Sequence, residues 1–309
     1  MVETDAAWPV MVLAHNEEVK IAACLDSIFA AEPDRALEVY VMANGCTDRT
    51  EEVVREYAEK RPEVRLVSIA LGDKCNAWNV FVHDTIPTEC PGRDVYIFMD
   101  GDATVGKSAL STLVQALHSD SHAHAASAVP GSGRSKAGDR RAILEQHGLV
   151  ANLYALRGSF VDRARALGVR LPLRLEGDDG LVAALVKWNL EPGRGWDNSR
   201  VHPCAEAVFE FDSVSVSDLK EWRNYWRRLV RYGRSYYEFR LLGRRLSEMG
   251  LAGLPQDIQD LYPDAEGLKQ PWRGVRTFTD AIALREMRRI GRARRRVNGT
   301  VGDGQGRMR

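Results

Sequence analysis

The chain has 309 residues, 44% apolar and 28% charged, with 43 basic and 43 acidic side chains. These values suit a soluble globular protein with a sizeable core, built as one large α/β domain plus a helical extension or as two modest domains. No apolar run approaches the ~18 residues a membrane span needs. The opening Met1-Val2-Glu3-Thr4-Asp5 lacks the basic-then-apolar order of a signal peptide. Five cysteines without C-x-x-C spacing point to a reducing compartment, so a cytoplasmic location is expected. The neutral total hides an asymmetry. From Leu219 onward there are 21 basic and 10 acidic residues, against 22 and 33 before it. A basic surface of that kind meets phosphate, an acidic polymer or anionic lipid, or else is a solvated arginine-rich helix.

The predicted elements alternate along the first 120 residues. Pro9 to Ala14 reads as an apolar strand, followed by a helix with Ile21, Cys24, Leu25, Ile28 and Phe29 on one face. Glu38 to Ala43 is a second strand, closed by Asn44-Gly45, and a helix follows Thr47 with acids in its first turn. Val64 to Ala70 is a third strand, with a helix from about Lys74 to His83, and Asp94 to Met99 is a fourth, strongly apolar strand. Strand–helix alternation predicts a mainly parallel sheet flanked by helices, with ligands at the carboxyl ends of its strands. Ala125 to Val129 reads as another strand, Gly131 to Gly138 as a flexible loop, and the stretch to about Leu156 as helix. After Asp218 long helices are expected, with a Gly/Pro-rich connection from about Gly250 to Pro271, a final basic helix, and a disordered tail from Gly299 to Arg309. The domain boundary is expected at residue 217, with a nucleotide-binding half over 8–120, an acceptor half over 121–217 and a basic helical extension over 218–298.

Asp100-Gly101-Asp102, directly after the fourth strand, carries the chemistry. Two carboxylates one residue apart can place oxygen ligands around Mg²⁺ or Mn²⁺, cations that share themselves with a diphosphate. Polar clusters end the other strands too: Ala14-His15-Asn16-Glu17-Glu18, Ala43 to Thr50, and Gly72-Asp73-Lys74-Cys75-Asn76-Ala77-Trp78-Asn79.

Together these motifs resemble glycosyltransferase family 2, the inverting enzymes with the GT-A fold, over roughly residues 8–235. The resemblance implies that Ala14, Asn16, Glu17, Asn44 and Asn79 belong to the donor site. It also implies that Lys74 lies near the donor diphosphate, that Asp102 coordinates the metal on it, and that Asp100 contacts the donor nucleoside or sugar and helps to hold that metal. Glu176-Gly177-Asp178-Asp179 resembles the family motif whose second carboxylate is the general base, which points to Asp179, with Asp178 in reserve. Gly158-Ser159-Phe160 matches a segment lining the sugar and acceptor side. His202 falls where some relatives supply a third metal ligand. The stretch Glu221 to Arg228 lacks the Gln-x-x-Arg-Trp of processive relatives, which implies single transfer. The expected partners are a nucleotide-sugar donor and a hydroxyl acceptor (lipid-linked, saccharide or small natural product). Peripheral contact with an anionic membrane through the basic helices is also expected, and no nucleic acid.

Two rival readings remain at this stage. Gly101 to Ser108 formally matches the P-loop pattern of an NTPase, although Asp102 would set a carboxylate against the phosphates. Alternatively the chain binds nucleotide sugar without catalysis, its role residing in the arginine-rich region.

Overall fold

The computed structural model describes residues 6–133, 136–211 and 219–302. Two compact units emerge: Met1–Val169 with Asp178–Ser213, and Arg170–Gly177 with Val214–Arg309.

The first unit carries β1 (Trp8–Ala14), α1 (Ile21–Ala31), β2 (Leu37–Asn44), α2 (Thr50–Lys60) and β3 (Val64–Ile69). It continues with α3 (Lys74–Val80), α4 (Ile86–Glu89), β4 (Val95–Asp100), β5 (Ala103–Val105) and α5 (Ala109–Ser119). Then come β6 (Ala125–Pro130), α6 (Lys136–Gln146), β7 (Leu153–Arg157), α7 (Gly158–Ala166), α8 (Asp178–Lys187) and β8 (Val201–Phe211). The eight strands form one sheet in the order β3-β2-β1-β4-β7-β6-β8-β5.

Strand periodicity sorts the core. Val10, Val12 and Ala14 of β1 and Val95, Ile97 and Met99 of β4 join the cluster built with α1 and α5. The alternate residues face an aromatic layer, where Phe98 stacks on Tyr154 at 4.9 Å and meets Phe81 edge-on at 5.6 Å. Truncating a fully buried member such as Ile97 to alanine costs about 2–5 kcal/mol.

The sheet keeps the expected parallel pairing among most of its neighbouring strands, β6 with β8 included, and adds antiparallel pairings. β3, β2, β1 and β4 run parallel, but β7 is antiparallel to both β4 and β6, and β5 is antiparallel to β8. The helix expected to reach Leu156 stops at Gln146. His147 adopts a positive φ of 52°, and the Gly148 N–H donates to the Ile143 carbonyl, closing the helix in the manner of a left-handed C-terminal turn. Leu153 to Arg157 is then free to pair as a strand.

The second unit holds α9 (Leu219–Met249) and α10 (Arg276–Gly302), with 3₁₀ segments at Gly250–Gly253 and Ile258–Gly267 between them. The helices approach closely at Gly233, where an added Cβ would lie 2.9 Å from Asp280 Oδ1. Residues Arg170–Gly177 belong to this unit rather than to the acceptor half. Leu173 exchanges backbone hydrogen bonds with Gln256 and Ile258, Arg174 pairs with Asp257 at 2.6 Å, and the Glu176 N–H donates to the buried Glu238 carboxylate at 3.0 Å. Of the expected tail, 299–302 is helical, and 303–309 lies outside the described residues. Among the described residues no helix is long and apolar enough to cross a membrane.

Candidate active site

Because β1, β2, β3 and β4 are parallel, Ala14, Asn44 and Asp100 end on one edge of the sheet. The loops there are tied to one another. His15 Nδ1–H donates to the Asn44 carbonyl at 2.6 Å, and Asn44 Nδ2–H donates to the Ala14 carbonyl at 2.8 Å. Asn16, at φ 59°, accepts the Thr47 N–H on Oδ1 at 2.8 Å. The Glu17 N–H donates to Thr50 Oγ1 at 2.7 Å. Gly45 has φ 58°, and a Cβ there would lie 2.4 Å from Gly72 Cα, so the β2 and β3 loops touch only through glycine. Asn16 and Asn44, expected at the donor, therefore also spend their side chains on the framework.

Between these loops lies an open cleft of about 300 Å³, lined by His15, Glu17, Asn44, Lys74, Asp100 and Asp102 among others. It adjoins a narrow inner cavity walled by Met11, Trp78, Phe98, Tyr154 and Asp178, and Lys74 and Asp100 line both. Lys74, in the first turn of α3, reaches Asp100 Oδ1 at 2.8 Å and Asp178 Oδ2 at 3.7 Å. Asp178 and Asp179 open α8, where exposed N–H groups favour acids. Asp179 Oδ1 accepts the Gly180 N–H at 2.9 Å.

Among the described residues, carboxylates outnumber cations at the site. Burial, then the Asp100 charge, pushes the Asp102 carboxyl up from its ordinary value, with Lys20 opposing. Glu17 is raised by burial and by Asp102. Asp178 is pushed up to about 6 by burial, with Lys74 pulling down and the Asp179 and Asp100 charges pushing up. Asp179 is raised by burial too, against Lys74 and the Gly180 N–H. Burial alone would lower the Lys74 pKa, but Asp100 and Asp178 outweigh it and hold the ammonium charged. Five carboxylates thus face two ammonium groups, over an aromatic floor that weakens solvation.

Not every expected residue reaches this edge. Asn79, on α3, is buried and 5% exposed, and it lines neither space. His202 pairs in register with Ala126, near the start of β6, and its Nδ1 lies 3.3 Å from Asp120 Oδ2. Since β6 and β8 run with β4, the start of β8 is at the opposite edge from Asp100 and Asp102, so His202 is not a third ligand there. Gly158-Ser159-Phe160 is also misplaced by expectation. β7 runs against β4, the Gly158 N–H donates to the Asp94 carbonyl at 2.6 Å, and the segment sits where β4 begins. The start of the same strand, with Ala151 and Tyr154, supplies the cavity wall instead. Lys20, Trp78 and Tyr154 were not anticipated as site residues. Trp78 lies within the Gly72–Asn79 cluster, whereas Tyr154 falls in the stretch that reads as helix in the sequence.

The P-loop reading fails on backbone hydrogen bonding. Gly101 N–H donates to Leu13 O and Gly106 N–H to Val208 O, both at 2.8 Å, while Ser108 N–H donates to Ala31 O at 3.1 Å. Val105 N–H donates to Ser27 Oγ at 3.1 Å, and Ala103–Val105 is a strand paired with β8. Donors consumed in this way cannot cradle a phosphate.

The mixed sheet and the acid-lined cleft at its edge define a glycosyltransferase of the GT-A fold. Residues 10–173 match Glycosyl transferase family 2, and the chain belongs to that family. Among solved structures it is similar to the mannosyltransferase PcManGT from Pyrobaculum calidifontis, in complex with GDP-Man and Mn²⁺. That similarity has 20% identity and a TM-score of 0.57 and covers 92% of this chain and 86% of that one. Glucosyl-3-phosphoglycerate synthase from Mycobacterium tuberculosis, with Mn²⁺, UDP and glucosyl-3-phosphoglycerate, is 18% identical over 74% of this chain and 80% of that one, TM-score 0.46. TarS from S. aureus, with UDP-GlcNAc, is 14% identical over 94% of this chain and 92% of that one, TM-score 0.49. No curated protein sequence matches the chain.

Proposed function

We propose that the enzyme transfers one hexose from a UDP- or GDP-sugar to an acceptor hydroxyl, with inversion, in a reaction dependent on Mg²⁺ or Mn²⁺. The observation that carries the reading is the meeting of Asp100, Asp102, Lys74 and Asp178, from three separate stretches of the chain, along a cleft and the inner cavity that adjoins it. PcManGT holds GDP-Man and Mn²⁺ in the same fold, which supports a nucleotide-sugar donor.

The residues present fit a hard divalent cation. The raised Asp102 and Glu17 carboxyls mark a pocket short of positive charge, and their oxygens are the ligands such cations take. Asp102, with Asp100 beside it, would hold the ion, which when bound would offset charge on the donor diphosphate. Among the described residues no group of three His, Cys, Asp or Glu forms a ready-made cage. Mg²⁺ commonly takes one or two carboxylates and completes its shell with substrate phosphates and water.

The remaining chemistry falls to the chain's own groups. A carboxylate opening α8 accepts the acceptor's hydroxyl proton as that oxygen bonds to the anomeric carbon. The bond from that carbon to the diphosphate oxygen breaks, and its electron pair leaves with the diphosphate. The Lys74 ammonium stabilises that departing charge. By its position in the motif Asp179 takes the proton. One observation favours Asp178 as a second reading: it lines the inner cavity beside Lys74, and its pKa of about 6 suits a base at neutral pH. Carboxylates retained in both roles weigh against a purely binding protein. The five cysteines, four of them buried, form no disulfide among the described residues, which supports a cytoplasmic location.

Thermal-shift screening of UDP- and GDP-sugars and ATP, with and without Mn²⁺, tests the proposal. Stabilisation by one nucleotide sugar only when Mn²⁺ is present is expected. Stabilisation by ATP alone would overturn it, and sugar-nucleotide binding without any turnover would return the protein to the binding class. A lipid-linked, saccharide or small-molecule acceptor is then separated by transfer assays with the donor so identified.

A further inference from the structure

The second unit exposes apolar side chains in an ordered place. Trp272, Val275, Phe278 and Ile282 are 81%, 84%, 67% and 38% exposed. The turn that carries Trp272 is pinned to α10. Arg273 N–H donates to Thr277 Oγ1 at 2.8 Å, and Gln270 Nε2–H donates to the Thr277 carbonyl at 2.7 Å. An ordered turn that holds a tryptophan outward leaves apolar area in water, which marks an interaction surface rather than scatter.

The helical spacing continues the stripe. Thr279, Asp280, Ala283, Leu284 and Met287 form the buried face of α10. On the opposite face, Val275, Phe278 and Ile282 are followed at the same period by the exposed Arg285 and Arg289. Much of the expected basic surface is already neutralised: Arg292 pairs with Glu266, Arg294 with Asp257 and Asp260, and Arg273 with Asp280. Among the described residues, the acids nearest in this unit pair elsewhere, Glu286 with Arg234 and Glu266 with Arg288 and Arg292, and no ion pair holds Arg285 or Arg289. The acid that flanks the stripe, Glu286, is held by Arg234 at 2.9 Å.

We propose that this stripe, Trp272 through Arg289, docks the protein on a bilayer that carries anionic headgroups. Trp and Phe favour the membrane–water interface, apolar side chains enter the headgroup boundary, and arginines meet lipid phosphates. Charge selects this occupant over a second copy of the chain, since two like stripes face to face would bring unpaired guanidinium groups together. The proposal concerns the second unit alone and does not depend on the transfer reaction.

The test is flotation of the full chain with phosphatidylcholine vesicles, with and without phosphatidylglycerol. Binding is expected only with the anionic lipid. It should weaken on the order of tenfold or more in Arg285→Glu/Arg289→Glu, and similarly in Trp272→Ala/Phe278→Ala. All four positions are exposed, so unchanged melting temperatures and donor binding will confirm that the variants fold. Absence of binding to anionic vesicles, or binding that neither double variant weakens, overturns the proposal. Light scattering that shows a dimer abolished by Trp272→Ala/Phe278→Ala would assign the stripe to a second copy instead.

Discussion

The Lys74 ammonium lies 2.8 Å from the Asp100 carboxylate, joining the first turn of α3 to the end of β4. With Lys20 it is a cation set against the carboxylates of the cleft, and it pulls down the pKa of both Asp178 and Asp179. Lys74→Met removes both effects. The donor KM should rise on the order of tenfold or more. The acidic limb of the pH–rate profile should move to higher pH, because Asp178 loses the charge that favours its ionised form. A KM and a profile that both stay put would make Lys74 a bystander.

The raised Asp178 has a cost in stability whose sign can be worked out. Its folded value of about 6 lies above the ordinary carboxyl value of about 3.9, so the folded state binds the proton more tightly than the unfolded state. Stability from this group is present below about pH 4, is lost as pH rises toward about 6, and stays lost above. In chelator and without donor, Asp178→Asn should therefore gain roughly 1–3 kcal/mol over the parent at pH 7.5 relative to pH 4.5. Urea unfolding at the two pH values measures it. A gain independent of pH would contradict the electrostatic account of the cleft.

Asp179→Asn should keep its donor affinity while turnover falls about 10²–10⁴-fold, the usual worth of a general base. Parallel assay of Asp178→Asn decides between the two carboxylates, since only the base should show the full loss with binding intact. Similar turnover in both variants and in the parent would remove the pair from proton transfer.

Gly101 is tightly enclosed: an added Cβ would lie 2.9 Å from the Leu13 carbonyl oxygen and 3.2 Å from Ile21. Gly101→Ala must push β1 away from the corner that holds Asp100 and Asp102, at a cost of about 1–3 kcal/mol. Donor binding should weaken with it. Denaturation together with calorimetry checks both effects, and unchanged values for each would mean the corner relaxes freely.

The four parallel strands and the Asp100–Asp102 corner were legible because each apolar run ends in a polar cluster, so strand ends and candidate ligands coincide in sequence. Of the later elements, β6 and the long helices α9 and α10 were legible too, whereas β7 and β8 were not, for a topological reason. Leu153 to Arg157 is a short strand that follows a helix, and nothing local says it runs against β4. That single reversal sends Gly158 to the far edge and brings Tyr154 to the cavity. β8 does not alternate cleanly between buried and exposed positions, so no local pattern gives its register, and His202, expected at the metal from the resemblance alone, pairs instead with Ala126 near the start of β6. Residues 170–177 belong to the second unit through pairing with Gln256, Asp257 and Glu238, partners more than 60 residues away, beyond the reach of any local pattern.

Calorimetric titration of the identified nucleotide sugar into the parent and into Asp102→Ala, each with Mn²⁺ and with chelator, addresses the central claim most directly. The parent should bind strongly with Mn²⁺ and weakly without it, and Asp102→Ala should bind weakly in both. Equal affinity for the parent with and without Mn²⁺, or a variant as responsive to the ion as the parent, would contradict the claim that a cation held at Asp102 secures the diphosphate.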